Sequence, residues 1–71
     1  MATEVESEIT GTVFQLSLAV GASVSEGDEL LVLESMKMEI PVEAPCAGTV
    51  TEIRVRPGDG VEEGDVLAVI G

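Results

Sequence analysis

The feature that most limits how this chain can fold is an internal repeat. Shifted by 37 positions, the sequence aligns with itself without a gap. Gly11-Thr12-Val13 falls on Gly48-Thr49-Val50, Gly21 on Gly58, Val24 on Val61, Glu26-Gly27-Asp28 on Glu63-Gly64-Asp65, Leu30 on Leu67 and Val32 on Val69. The window from Gly11 to Glu34 holds ten identities in 24 residues, and Leu16/Ile53, Leu18/Val55 and Leu33/Ile70 are apolar in both copies. A repeat of this strength in 71 residues predicts one domain, 1–71, with like halves 11–34 and 48–71 joined by a hairpin segment 35–47.

Each half reads as short strands and tight turns, with no helical window. Leu16, Leu18 and Val20 alternate with polar or small residues, as do Ile53 and Val55, which is the period of a half-buried strand. The parity breaks between Val13 and Leu16 and again between Val50 and Ile53, predicting a bulge or a bend at the same place in both halves. Turns are expected at Gly21, Gly58, Glu26-Gly27-Asp28 and Glu63-Gly64-Asp65. Leu30–Leu33 and Val66–Ile70 are continuous apolar runs suited to burial on both faces. Thr3–Ile9 alternates with Glu4, Glu6 and Glu8 on one side, as an outer strand guarded by charge would. Met38–Glu43 reads as a short strand interrupted by Pro41. The fold class is therefore all-β, a small sandwich or flattened barrel with internal two-fold pseudosymmetry.

Composition excludes several functions. With 14 Asp+Glu, 3 Lys+Arg and a formal charge of −11, the chain lacks the cations that nucleic-acid binding needs. Phe14 is its one aromatic, so there is no base-stacking platform. It has no His, and Cys46 is its one cysteine, so neither a Cys/His metal site nor a disulfide is expected. Cys46 reads as a small, partly buried hydrophobe. There is no leader-like start and no apolar stretch long enough to span a membrane, and the expected setting is cytoplasmic. No Ser or Cys has a plausible base partner and no carboxylate pair stands apart, so no catalytic residue is expected.

At the centre of the repeat lies Glu34-Ser35-Met36-Lys37-Met38-Glu39. Lys37 is the one lysine in the sequence, so side-chain amine chemistry has a single address. Shifting Lys37 by the repeat offset in either direction lands just beyond a chain end. The lysine is thus expected at one end of the domain and both termini at the other. Two hairpins fit the sequence: a two-residue turn with Met36-Lys37 at its corner, although such turns favour Asn-Gly or Gly-X because they need positive φ, or a longer, unstrained loop. A local sequence that contradicts its structure often marks a functional site. A lone lysine is usually a solvated surface group and a methionine usually a core filler. Two methionines bracketing a lysine that must reach solvent fit neither role well.

ESMKME, followed by Glu43-Ala44-Pro45 and Gly48-Thr49-Val50, resembles the biotin-attachment domain of biotin-dependent carboxylases over essentially the whole chain. The resemblance implies two four-stranded antiparallel sheets in a barrel-sandwich hybrid. It also implies covalent biotin on Lys37, amide-linked by a biotin protein ligase that supplies biotin as an acyl-adenylate. Met36 and Met38 match the flanking methionines through which partners recognise the tip, and Glu34, Ser35 and Glu39 complete the expected recognition stretch. Ser35 stands where alanine is common in that family. The gapless repeat leaves no room for the protruding thumb of some bacterial carriers.

The implied role is a non-catalytic carrier, monomeric when isolated. It would move carboxylate as carboxybiotin between biotin carboxylase and carboxyltransferase components, as a free-standing carrier or an excised domain. A lipoyl carrier of similar fold is the nearest rival, but lipoyl domains typically show Asp-Lys-Ala at the tip. An unmodified interaction module of the same fold is the rival of another class.

Overall fold

The computed structural model describes residues 2–71 and contains only strands and turns. The strands are β1 (Thr3–Glu6), β2 (Gly11–Leu16), β3 (Ser23–Val24), β4 (Glu29–Ser35), β5 (Met38–Glu43), β6 (Gly48–Ile53), β7 (Gly60–Val61) and β8 (Val66–Ile70). They form two four-stranded antiparallel sheets, ordered β1-β8-β6-β3 and β5-β4-β2-β7. The repeat offset maps each sheet onto the other, strand for strand: β1 onto β5, β2 onto β6, β3 onto β7 and β4 onto β8. The domain measures 32 × 18 × 17 Å. No helix among the described residues is long and apolar enough to cross a membrane.

The parity break is a bulge in both halves. The register of β2 against β4 shifts between Val13 and Gln15, and that of β6 against β8 shifts between Val50 and Glu52. Val13 and Val50 point into the core while Phe14-Gln15 and Thr51-Glu52 both face out. A bulge sets two residues of one strand against one of its partner, which is how two successive side chains reach the same face.

The alternation does not continue as strand beyond Leu16 and Ile53. Ser17 N–H still donates to Leu30 O at 3.0 Å and Arg54 N–H to Leu67 O at 2.8 Å, and then the chain leaves its sheet. Residues 17–22 carry it from β2 to β3 in the opposite sheet, and 54–59 carry it from β6 to β7. Val20 is exposed on this crossover. β1 likewise ends at Glu6, although Ser7 is buried beyond it. Pro41 does not interrupt β5. That strand lies at a sheet edge, where a missing N–H need not break the ladder.

The Glu-Gly-Asp turns are clamps. Gly27 and Gly64 take φ of 91° and 94°, which glycine adopts without a Cβ clash. Asp28 accepts from Ser25 N–H at 2.8 Å, and Asp65 from Glu62 N–H at 2.9 Å. Gly27 N–H donates to Ala44 O, and Gly64 N–H to Ser7 O, so each turn pins the chain just beyond an edge strand. The turns at Gly21 and Gly58 also have positive φ at matching places.

β4 and β8 lie inside their sheets, and Leu30–Leu33 and Leu67–Ile70 are buried throughout. Leu31, Leu33 and Leu67 join Val13, Val55 and Val61 in one core cluster, while Leu30 and Ile70 join Val5, Val24, Ala44 and Val50 in a second. Cys46 is a free thiol, partly buried against the second cluster.

The repeated Gly-Thr-Val has a packing reason. A Cβ on Gly11 would lie 2.6 Å from Glu34 O, and one on Gly48 would lie 2.6 Å from Ile70 Cγ2 and 2.9 Å from Gly71 O. Gly11→Ala and Gly48→Ala should each lower the unfolding free energy by about 1–3 kcal/mol, the usual cost of overpacking. Gly60→Ala, whose Cβ would meet nothing within 4 Å, should change it by less than about 0.5 kcal/mol. Urea denaturation of the three variants checks this.

Candidate functional site

β4 and β5 are joined by the tightest connection in the domain. Ser35 pairs with Met38, which leaves Met36 and Lys37 to reverse the chain. Their φ values are 52° and 65°. Positive φ at both central residues is the mark of a type I′ turn, whose twist matches that of the flanking strands. Among the described residues they are the non-glycine positions with positive φ. The two-residue turn is therefore present, with two side chains poorly suited to it.

The tip projects from the sheet. Met36 is 92% exposed and Met38 63%, and Lys37 is exposed between them. Neither methionine fills the core. Lys37 has no carboxylate within 4 Å among the described residues; the ion pairs found there join Arg54 to Glu4 and Glu52. The Arg54 guanidinium is held above its ordinary range, first by its hydrogen bond to Glu52. The amine at the tip is thus exposed and unpaired among the described residues.

Glu34 and Glu39 pair directly across the hairpin below the tip, both exposed. Ser35 is half-buried and its Oγ donates to Thr10 O at 3.0 Å. This bond ties the end of β4 to the residue before β2. Gly11 lets β2 lie against the backbone of Glu34. All six residues of the predicted stretch, Glu34 to Glu39, thus fall at one end of one hairpin.

Gly11 and Thr10 are supports that the sequence reading did not assign to the site. The identity of Gly11 with Gly48 was the available signal for Gly11. Thr10 contributes only a carbonyl, which no side-chain pattern reveals. The expected positional relation of tip to termini is visible in the topology. The mirror of the β4–β5 junction is the β8–β1 pair, which meets at Thr3 and Ile70 beside the two ends of the chain. Among the described residues, no group of three or more His, Cys, Asp or Glu is placed to hold a metal.

The family model described as "Biotin-requiring enzyme" matches residues 1–70. The chain belongs to that family. Similar to this member are the biotinylated protein TB7.3 homolog of Mycolicibacterium smegmatis, 50% identical over 42 residues, and the biotinylated protein TB7.3 of Mycobacterium tuberculosis, 46% identical over 42 residues. Each match covers 59% of this chain and 59% of the relative. The fold is also that of a segment of the Kluyveromyces lactis urea carboxylase, at a TM-score of 0.95 and 41% identity, covering all of this chain and 6% of that one. A single-chain, multi-domain long-chain acyl-CoA carboxylase contains a similar segment, at a TM-score of 0.89 and 35% identity, covering 96% of this chain and 7% of that one.

Replacing Met36-Lys37 by Asn-Gly should relieve the left-handed backbone and raise the unfolding free energy by about 1–2 kcal/mol. Thermal and urea unfolding of the double variant beside the parent protein measure it.

Proposed function

We propose that this domain is a biotin carrier and that Lys37 is the residue that bears the cofactor. The observation that carries the reading is the free, exposed amine on a strained two-residue turn, in a member of a biotin-requiring family. The residues fit the group: an amide needs one accessible amine, and Lys37 is the one lysine side chain. The relatives that are named biotinylated proteins support the choice of biotin.

In this reading a biotin protein ligase presents an activated carboxyl at the tip. Lys37 Nζ loses a proton and forms the amide bond, and the activating group departs. Among the described residues no carboxylate lies within 4 Å of Lys37, so in this reading the ligase accepts that proton. The domain contributes position. Met36 and Lys37 are fixed by the turn, and Ser35 is tied to Thr10, so the backbone at the tip is rigid while the lysine stem stays free. Met36 and Met38 offer exposed, adaptable apolar contacts to a partner that grips the tip.

Bound biotin would supply a site for a carboxylate in transit. The carboxylase neighbours support biotin carboxylase and carboxyltransferase components as the proteins between which the arm moves. Tethering replaces free diffusion with an effective concentration of about mM order. The domain then acts as a monomeric carrier with no catalytic residue of its own. A cytoplasmic setting belongs to the same reading, and the free thiol of Cys46 supports it.

Intact mass after incubation with a biotin protein ligase, biotin and ATP tests the assignment. The expected result is a gain of one amide-linked biotin, absent in Lys37→Arg. A folded protein that gains nothing, beside a known substrate that does, would move the assignment to lipoylation or to an unmodified interaction role.

A further inference from the structure

The two-fold repeat gives the tip-bearing sheet an internal control. The other sheet has the same backbone and no lysine hairpin, so differences between their outer faces single out what the tip side has acquired. On the outer face of β2, β4 and β5, the register sets Val32 between Gln15 and Pro41, with Phe14 beside Gln15 on the bulge. Val32 is 6% exposed and belongs to neither core cluster, and its mirror residue Val69, 7% exposed, is the same, so the valine is shared by both faces and its neighbours are what differ. Phe14 is 47% exposed. Phe14, Val32 and Pro41 thus place an apolar strip of residues on the outer face of three strands, with Gln15 as the polar residue directly opposite Val32.

Acidic pairs bracket the strip. Glu34 faces Glu39 on the tip side and Glu29 faces Glu43 on the far side. Like charges directly opposite on neighbouring strands destabilise a hairpin. Neither pair has a cation within 4 Å among the described residues. On the mirror sheet Phe14 is replaced by Thr51, Pro41 by Glu4, Glu34 by Gly71, Glu29 by Val66 and Ser17 by Arg54. Arg54 there lies 3.1 Å from Glu52 and 3.7 Å from Glu4, so that face neutralises part of its own charge.

We propose that the Phe14–Val32–Pro41 strip is a docking surface for the ligase that modifies Lys37, and that it receives an apolar patch flanked on two sides by Lys or Arg. The inference rests on the biotin-carrier reading. The acidic brackets give the charge complementarity, and the half-exposed aromatic gives the kind of centre that protein interfaces favour. Reach selects the ligase among possible partners. Phe14 lies beside the Val32–Leu33 step, about four residues or 14 Å along the strand from Lys37. A standard interface of about 800 Å² per partner has a radius of roughly 16 Å. The ligase must bring Lys37 Nζ itself to its active centre, so its footprint is bound to the tip and reaches the strip. An enzyme served by the extended arm can sit further away.

The test is steady-state kinetics of Lys37 biotinylation with the full chain as substrate. Phe14→Thr and Pro41→Glu each install the residue the mirror sheet already carries at that position. Each should raise KM about tenfold with kcat within a factor of two. Thr51→Ala and Glu52→Gln, on the mirror face, should leave both constants unchanged. Glu29→Gln/Glu43→Gln should flatten the rise of KM with added salt that the parent protein shows. An unchanged KM for folded Phe14→Thr and Pro41→Glu, or equal losses on the mirror face, overturns the docking surface and leaves the carrier reading intact. A parent protein that is not biotinylated at all overturns both. Should one strip variant unfold, the salt dependence of Glu29→Gln/Glu43→Gln decides alone, and a slope equal to the parent's overturns the proposal.

Discussion

Two residues turn the chain between Ser35 and Met38, and both must take positive φ. Most of what matters at this tip follows from that constraint. A longer loop would relax Met36 and Lys37 into ordinary backbone and let the amine wander. The short turn instead makes the backbone of Lys37 a fixed extension of β4 and β5. β4 pairs on both sides and buries Leu30–Leu33, so the tip stands on one of the two most deeply buried strands of the domain. The left-handed conformation costs about 1–2 kcal/mol per residue. A core of this size yields only about 3–5 kcal/mol net. The turn is therefore a large local cost, and the hydrogen bond from Ser35 to Thr10 and the close fit of Gly11 are what oppose fraying there.

Pseudosymmetry explains why this cost falls where it does. β8 and β1 repeat the geometry of β4 and β5 but meet beside the chain ends, with no turn to strain. The Glu-Gly-Asp clamps, the bulges and the sheet crossovers are shared by both halves because the barrel needs them twice. The positive-φ methionine and lysine and the bracketing glutamate pairs occur once. Shared features carry the fold, and the single ones are candidates for function.

Much of this was legible in the sequence because the repeat supplied two readings of each element. One parity break at Val13 could be noise; a second at Val50 pointed to a bulge or a bend, and the register shows the bulge. The buried runs of β4 and β8 were plain for the same reason. The two-residue strands β3 and β7 were not, since Ser23-Val24 and Gly60-Val61 are too short to show a period. Alternation also misled beyond Leu16, where Leu18 keeps the apolar phase while the chain crosses between sheets. Periodicity reports which side chains face inward, and it does not report when backbone pairing stops. At the tip, the mismatch between Met-Lys and a turn built for Asn-Gly was readable, whereas the support from Thr10 came through a carbonyl and left no mark in the sequence.

The acidic charge also reads differently once the fold is placed. Across the whole surface it is a general like-charge repulsion. Along β4 and β5 it becomes local, because Glu29 faces Glu43 and Glu34 faces Glu39 on an edge hairpin. These pairs oppose the same hairpin that must hold the strained turn. The mirror position of Glu29 and Glu43 avoids such repulsion by pairing Val66 with Glu6. Two repulsive pairs and a left-handed lysine therefore share one hairpin. Cationic groups brought by a partner would relieve the repulsion only in the complex. Binding there would then be favoured by charge already placed and would weaken as salt screens it. That suits a carrier that must be released after each encounter.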